Sequence, residues 1–423
     1  MDFTKMPKSE LEKTKQELET RYRSFQTRKL NLNMARGKPA AEQLQLSNAM
    51  LDILNSGSNL NAPTGEDCRN YGMPEGLPAL RDIFSQMMTV PADHIILGGN
   101  SSLNMMFDIV ACGMTKGFSG CEPWGKQAHL KFLCPSPGYD RHFRVTEYFG
   151  FDLVTIPMTV DGPDMDAVEE AVKDPSVKGI WCVPKYENPM GITFSDDTVR
   201  RFANLKPAAK DFRIFWDNAY CVHDLTDDPD LLLSLWKECE KAGTEESAFF
   251  FASTSKITFP GAGVSAVACG SENYRQLRAH FAVQTIGPDK LNELRHLYFL
   301  KDFDGVKAQM AKHRALIAPK FRTVEDALQN ELSGKNIASW TNPKGGYFIS
   351  VNVLPGCAKR VVALCAEAGV KLTGAGATYP YGKDPNDSNI RVAPTFPPVS
   401  ELKQAVDLFC IAVQLAAAEK LLK

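Results

Sequence analysis

Seven short runs that are apolar throughout recur between residues 94 and 270: "HIILGG", "KFLCPSP", "LVTIPM", "GIWCVP", "RIFWDNAY", "AFFFAST" and "GVSAVACG". A strand with one face in water alternates apolar and polar residues, whereas one covered by helices on both faces does not. The runs therefore predict an α/β protein with a central, mostly parallel sheet, most strands being followed by a helical or loop segment. After about residue 300 the texture changes. "VKAQMAKHRALIAPKFRTVEDALQNEL" has long helical periodicity, "GGYFISVNV" reads as a short strand-rich part, and "SELKQAVDLFCIAVQLAAAEKLL" as a closing amphipathic helix. At the other end, Ser9 and Glu12 have capping-box spacing and Leu11, Leu18, Tyr22 and Phe25 fall near one helical face, so a surface helix or arm is predicted there.

Composition narrows the function classes. With 423 residues, 44% of them hydrophobic, the chain can bury a sizeable core. Its 48 basic and 50 acidic residues nearly balance and form no long block of one sign, which argues against a nucleic-acid partner. The charged start lacks the apolar stretch of a signal peptide, and no run is long enough to cross a membrane, so a soluble cytoplasmic protein is expected. Eleven cysteines occur without C-x-x-C pairs, the pattern of reduced thiols used in packing rather than of disulfides or a metal site.

Ligands of open α/β sheets bind outside the carboxyl ends of the strands, so the polar residues that follow each apolar run are the candidates. The first run leads into Gly99, Asn100, Ser101 and Ser102 before a helical pattern, a turn whose backbone N–H groups can seat an anion. Tyr139 follows the second run as an aromatic able to cover a flat ligand. Asn188, in "PKYENPMG", stands beside a proline that holds its turn, and "WDNAY" ends a very apolar strand on Asp217 with Tyr220 three residues on. An acid there is paired or protonated if buried. "FFFASTSK" then carries Ser253, Ser255 and Lys256 out of another apolar run, and a buried lysine has the depressed basicity that imine chemistry needs. Taken in order, an anion seat, a stacking aromatic, an Asn, an Asp, a Tyr and Ser-x-Ser-Lys make up a site for pyridoxal 5'-phosphate.

"RNYGMPEGLPALR", "ENPMG", "DNAY", "STSK" and "NIRVAP" stand in the order and spacing of the fold-type I class I/II aminotransferases, and the chain resembles that family over nearly its whole length. "MARGKPAAEQLQLS", "STSKITFPGAGVSAV" and "QTIGPDKLNELRHLYF" resemble its subgroup Ic aspartate aminotransferases. The resemblance implies a mostly parallel seven-stranded sheet in a large domain at 63–300, with a smaller α+β domain built from 1–62 and 301–423. It implies that Lys256 holds the cofactor as an imine and later moves the substrate Cα proton, and that Asp217 pairs with the pyridine nitrogen. Asn188 and Tyr220 would meet the ring hydroxyl and Tyr139 would stack on the ring. Gly99, Asn100, Ser101, Ser102, Ser253 and Ser255 would seat the phosphate, and Tyr71 would reach it from the neighbouring subunit of a homodimer. Arg391 would grip the substrate α-carboxylate, with Gly37 letting backbone approach the substrate.

One departure stands out. The family's phosphate-pairing arginine, about eight residues after the lysine, is absent, so heavier reliance on the 99–102 turn is expected. The implied reaction is aspartate with 2-oxoglutarate. An aminotransferase for aminoadipate, alanine or an aromatic amino acid, or a β-lyase, stays open, because Arg36, Lys38, Arg141 and Arg144 are equal candidates for a distal carboxylate.

Overall fold

The computed structural model describes residues 2–423. All seven apolar runs are strands of one sheet. In spatial order they are Ile95–Gly98, Ser265–Cys269, Ala248–Ser253, Arg213–Asp217, Val177–Cys182, Lys131–Ser136 and Asp152–Thr159, with the two-residue strand Gly162–Pro163 added at the last edge. That makes eight strands rather than the seven expected, the extra one being the return of a tight turn that pairs two residues with Met158 and Thr159. Ser265–Cys269 runs antiparallel to both neighbours, and the five strands from Ala248–Ser253 to Asp152–Thr159 pair in parallel.

Successive side chains of a strand point to opposite faces. Here Ile214, Trp216, Phe250 and Ala252 join one core, while Phe215, Phe249, Phe251 and Val267 join the other. Both faces are buried, which is why the runs are apolar throughout.

A third core gathers the N-terminal helix Lys8–Gln26, the second half of the helix Phe303–Leu332 and the closing helix Val399–Leu421. Leu11, Leu18, Tyr22 and Phe25 are buried as their spacing predicts. The capping box is not formed: the helix begins one residue before Ser9, after Pro7, with no side-chain cap. Proline before the first turn already fixes φ for helix entry. Phe303–Leu332 links the two regions, with Val306 and Met310 in the core under the sheet and Ile317, Phe321 and Val324 in the third core. Its Pro319 falls within the second set, between Ile317 and Phe321.

A small antiparallel sheet, Ala338–Trp340, Ile349–Val353 and Asn389–Val392, lies on the third core. Leu32–Asn33 pairs in parallel with Val370–Lys371, which brings residues 35–38 beside 371–374. All eleven cysteines are free, and nine of them are buried. Among the described residues no helix is long and apolar enough to cross a membrane.

Candidate active site

The sheet's order reverses between Lys131–Ser136 and Val177–Cys182, because the chain adds Asp152–Thr159 on one side and later strands on the other. The crevice outside the carboxyl ends at such a switch is where open α/β sheets bind ligands. A cavity of about 630 Å³ opens there, and its wall contains Asn100, Ser101, Ser102, Tyr139, Asn188, Asp217, Tyr220, Ser253, Ser255 and Lys256. Gly37 and Arg391 reach it from the N-terminal segment and the small sheet. Residues spread over more than 350 positions are thereby brought together.

Two predicted residues lie elsewhere. Gly99 is not in the wall; its carbonyl accepts bonds from the backbone N–H and hydroxyl of Ser265, so it shapes the turn rather than lining it. Tyr71 is 79% exposed and does not enter the cavity of its own chain.

Asp217 closes its strand with 4% of its surface exposed. His142 Nε2 lies 2.9 Å from its Oδ2, whereas Oδ1 is buried with no partner. The imidazole is held by Trp181, stacked at 4.6 Å, and by the edge of Tyr139. His142 was missed in the sequence, although it lies three residues after Tyr139, one helical turn into Asp140–Tyr148.

The Lys256 amine sits 5.0 Å from the ring centre of Tyr220 and 5.7 Å from that of Tyr347. Burial holds it below the usual lysine range, with the Asp217 charge opposing that shift. Burial likewise drives the Tyr220 hydroxyl far above the ordinary phenol range and that of Tyr139 up to about 12. Both phenols are therefore donors at neutral pH.

The lysine-bearing turn is fixed from below. Thr254 donates its backbone N–H to Val264, and its hydroxyl and that of Thr258 meet His296 Nε2 at 3.2 and 2.9 Å. At the anion seat, Ser101 is the N-cap of the helix Ser102–Lys116, yet its hydroxyl makes no capping bond. Ser255 donates to the carbonyl of Asn100, and Ser253 to Ser255. Where the family arginine would stand, Val264 is buried in the core, so that position supplies no cation.

Arg391 lies on Asn389–Val392 with its guanidinium 4.9 Å from the centre of the Phe348 ring. Its Nη1 donates to Asp140 Oδ1 at 2.9 Å and to Asn188 Oδ1 at 3.2 Å. A methyl group at Gly37 would collide with that same Phe348 ring, so this glycine is required by packing behind Arg391. Of the four distal candidates, Arg36, Lys38 and Arg141 line the wall, and Lys371, not anticipated from the sequence, joins them. Arg144 is outside the wall and pairs with Glu147.

The set fits a flat, phosphorylated pyridine cofactor. A buried oxygen without a partner awaits a ring N–H, an amine of lowered basicity stands in the same cavity, and an uncapped helix start offers N–H groups to an anion.

Residues 6–423 match the family model described as aspartate amino-transferase. An aspartate aminotransferase from Corynebacterium glutamicum is 44% identical over 405 residues, covering 96% of this chain and 94% of that protein. A crystal structure of an aspartate transaminase from Corynebacterium glutamicum superposes with a TM-score of 0.97 at 42% identity, covering 100% of this chain and 99% of that one. The α-aminoadipate aminotransferase from Thermus thermophilus, complexed with N-(5'-phosphopyridoxyl)-L-leucine, shares the fold at a TM-score of 0.74 and 20% identity, over 93% of this chain and 95% of that one. The chain belongs to the aspartate amino-transferase family and has the fold of the fold-type I aminotransferases.

Proposed function

We propose that the protein transfers the amino group of L-aspartate to 2-oxoglutarate, using pyridoxal 5'-phosphate held in the cavity at the sheet's switch point. The observation that carries this is one cavity shared by the Lys256 amine, the partnerless Oδ1 of Asp217 and the guanidinium of Arg391. When bound, the cofactor supplies an electron sink for the negative charge left at the substrate Cα.

The chain's own residues do the rest. Asp217 Oδ1 receives the pyridine N–H while His142 keeps the carboxylate from turning. Tyr139 would cover the ring, and Asn188 and Tyr220, in the same wall, would donate to its hydroxyl. The 100–102 turn with Ser253 and Ser255 receives the phosphate, using N–H and O–H donors in place of an arginine. Lys256 Nζ, uncharged more readily than a solvated lysine, would take the proton from the substrate Cα and hold it for return on the cofactor side of the amino nitrogen. Arg391 holds the α-carboxylate so that this proton faces Lys256.

A dicarboxylate is favoured by charge. Arg36, Lys38, Arg141 and Lys371 line the wall with no ion-pair partner among the described residues. Together they supply the distal cation that an aspartate side chain needs.

The working unit on this reading is a cytoplasmic homodimer. Tyr71, Val283 and Ile286 are 79%, 89% and 62% exposed; Val283 lies in the last turn of the helix Ser271–Gln284, and Gly287 just beyond it packs on the carbonyl of Gly72, which accepts from Lys290 Nζ. An exposed apolar cluster of this kind suits a second copy, which would receive Tyr71. The domain division on the same reading is 63–300 for the cofactor domain, with 1–62 and 301–423 forming the smaller one.

The test is the 300–500 nm spectrum of the cofactor-loaded protein with L-aspartate, L-alanine, L-aminoadipate and L-phenylalanine in parallel. Aspartate is expected to change the spectrum most, and 2-oxoglutarate to reverse that change. A response confined to another amino acid would overturn the substrate, and no response to any would overturn the reaction.

A further inference from the structure

Arg391 has five N–H donors, and the structure accounts for each. Nε is buried with no protein partner. Both hydrogens of Nη1 are engaged, one by Asp140 Oδ1 at 2.9 Å and one by Asn188 Oδ1 at 3.2 Å. Only Nη2 is left. A carboxylate gripped by two parallel bonds needs donors on both terminal nitrogens or on Nε and Nη2. The end-on fork pairs Nη1 with Nη2, and for it one Nη1 hydrogen must be released.

Asp140 is the partner able to leave. Its side chain is 32% exposed, lines the same cavity, and begins the helix Asp140–Tyr148, whereas Asn188 is 3% exposed. Two carboxylates on one guanidinium edge would also repel each other. We propose that Asp140 is the resident counter-ion of Arg391, and that the incoming α-carboxylate displaces it. Asp140 is thus a positioning residue that sets the threshold for substrate binding. This rests on the reading that Arg391 receives the α-carboxylate.

The consequence is a carboxylate-for-carboxylate exchange at the α end. Such an exchange gains little, so a ligand with one carboxylate is held weakly. A ligand with two gains in addition from the unpaired cations Arg36, Lys38, Arg141 and Lys371. Asp140 thereby lowers the affinity of every ligand by the same factor and leaves the distal pairing to decide which ones bind.

The experiment is calorimetric titration of the cofactor-loaded protein with two unreactive probes, succinate and propionate. Asp140→Asn is expected to tighten both by a similar factor of about ten, the scale of one charge-assisted bond no longer in competition. A merely structural role for Asp140 would weaken binding instead, so weakening or no change overturns the proposal. Tightening of succinate alone overturns it as well, since that would put Asp140 at the distal end. Asp140→Ser serves as a second variant if the first folds poorly. Arg391→Gln separates the two readings: it is expected to abolish propionate binding, and if both probes still bind it as tightly as wild type, the assignment of Arg391 itself is wrong.

Discussion

Asp217 is finished on one side and open on the other: Oδ2 has His142, while Oδ1 is buried without a partner. A buried unsatisfied acceptor is costly unless something comes to it. Asp217→Ala is therefore expected to lower the transamination rate by about 10²- to 10³-fold, the usual loss when one preorganised electrostatic partner is removed. Single-turnover absorbance with aspartate measures it. At the other end of the ligand, Ser101→Ala combined with Ser102→Ala should weaken cofactor binding by at least about tenfold, because Val264 leaves no arginine to compensate. Unchanged affinity in a cofactor titration would remove the turn from the phosphate seat. Lys256 makes a prediction about stability. Its folded pKa lies below the usual 10.5. Between the two values the unfolded chain carries a proton that the folded chain lacks, so stability rises with pH across that window and the penalty is complete below it. Lys256→Met should melt a few degrees higher than wild type at pH 7 without cofactor, with the advantage shrinking towards pH 10.

The helix Lys290–Leu300 shows what a single element can connect. Lys290 Nζ donates to the Gly72 carbonyl at 2.9 Å, and Glu293 Oε2 accepts from the Leu77 N–H at 2.8 Å, which ties down the loop that carries Tyr71. One residue over, Asn292 donates to the Gly263 carbonyl, and His296 meets Thr254 and Thr258 under the Lys256 turn. The same helix thus holds both the lysine and the loop bearing Tyr71. With a polar residue on nearly every side, the segment carries a family resemblance but hides its buried face from any periodicity argument. Burial raises Glu293 to about 7, opposed by Lys290 and Arg81 and assisted by Asp289. Between the ordinary 4.5 and about 7 the folded protein keeps a proton that the unfolded chain releases, so stability is lost as pH rises through that window. Glu293→Gln keeps an acceptor for Leu77 and should gain about 1–3 kcal/mol at pH 8 with little effect at pH 5, read by thermal or denaturant melts at the two pH values.

At the scale of the whole molecule, the exposed apolar cluster around Tyr71, Val283 and Ile286 predicts that Val283→Asp with Ile286→Asp yields monomers in sedimentation, since burying two unpaired carboxylates opposes association. A dimer that survives both charges would place the interface elsewhere. The sequence alone determined the sheet and one side of the site, for a local reason. A strand buried on both faces must be apolar throughout, and the residue after it stands at the sheet's carboxyl edge, so Asn188, Asp217 and Lys256 could be read from neighbours on the chain. It could not yield the pairing of Arg391 with Asp140, the support of Asp217 by His142, or the need for glycine at 37. Asp140 looks like an ordinary acidic residue in a first helical turn, favourable to the helix dipole, and only the approach of Asn389–Val392 gives it a guanidinium. Gly37 reads as a place where backbone approaches the substrate, and only the Phe348 ring behind it shows that packing also excludes a side chain. Those partners lie 75 or more residues apart, and folding alone brings them into contact.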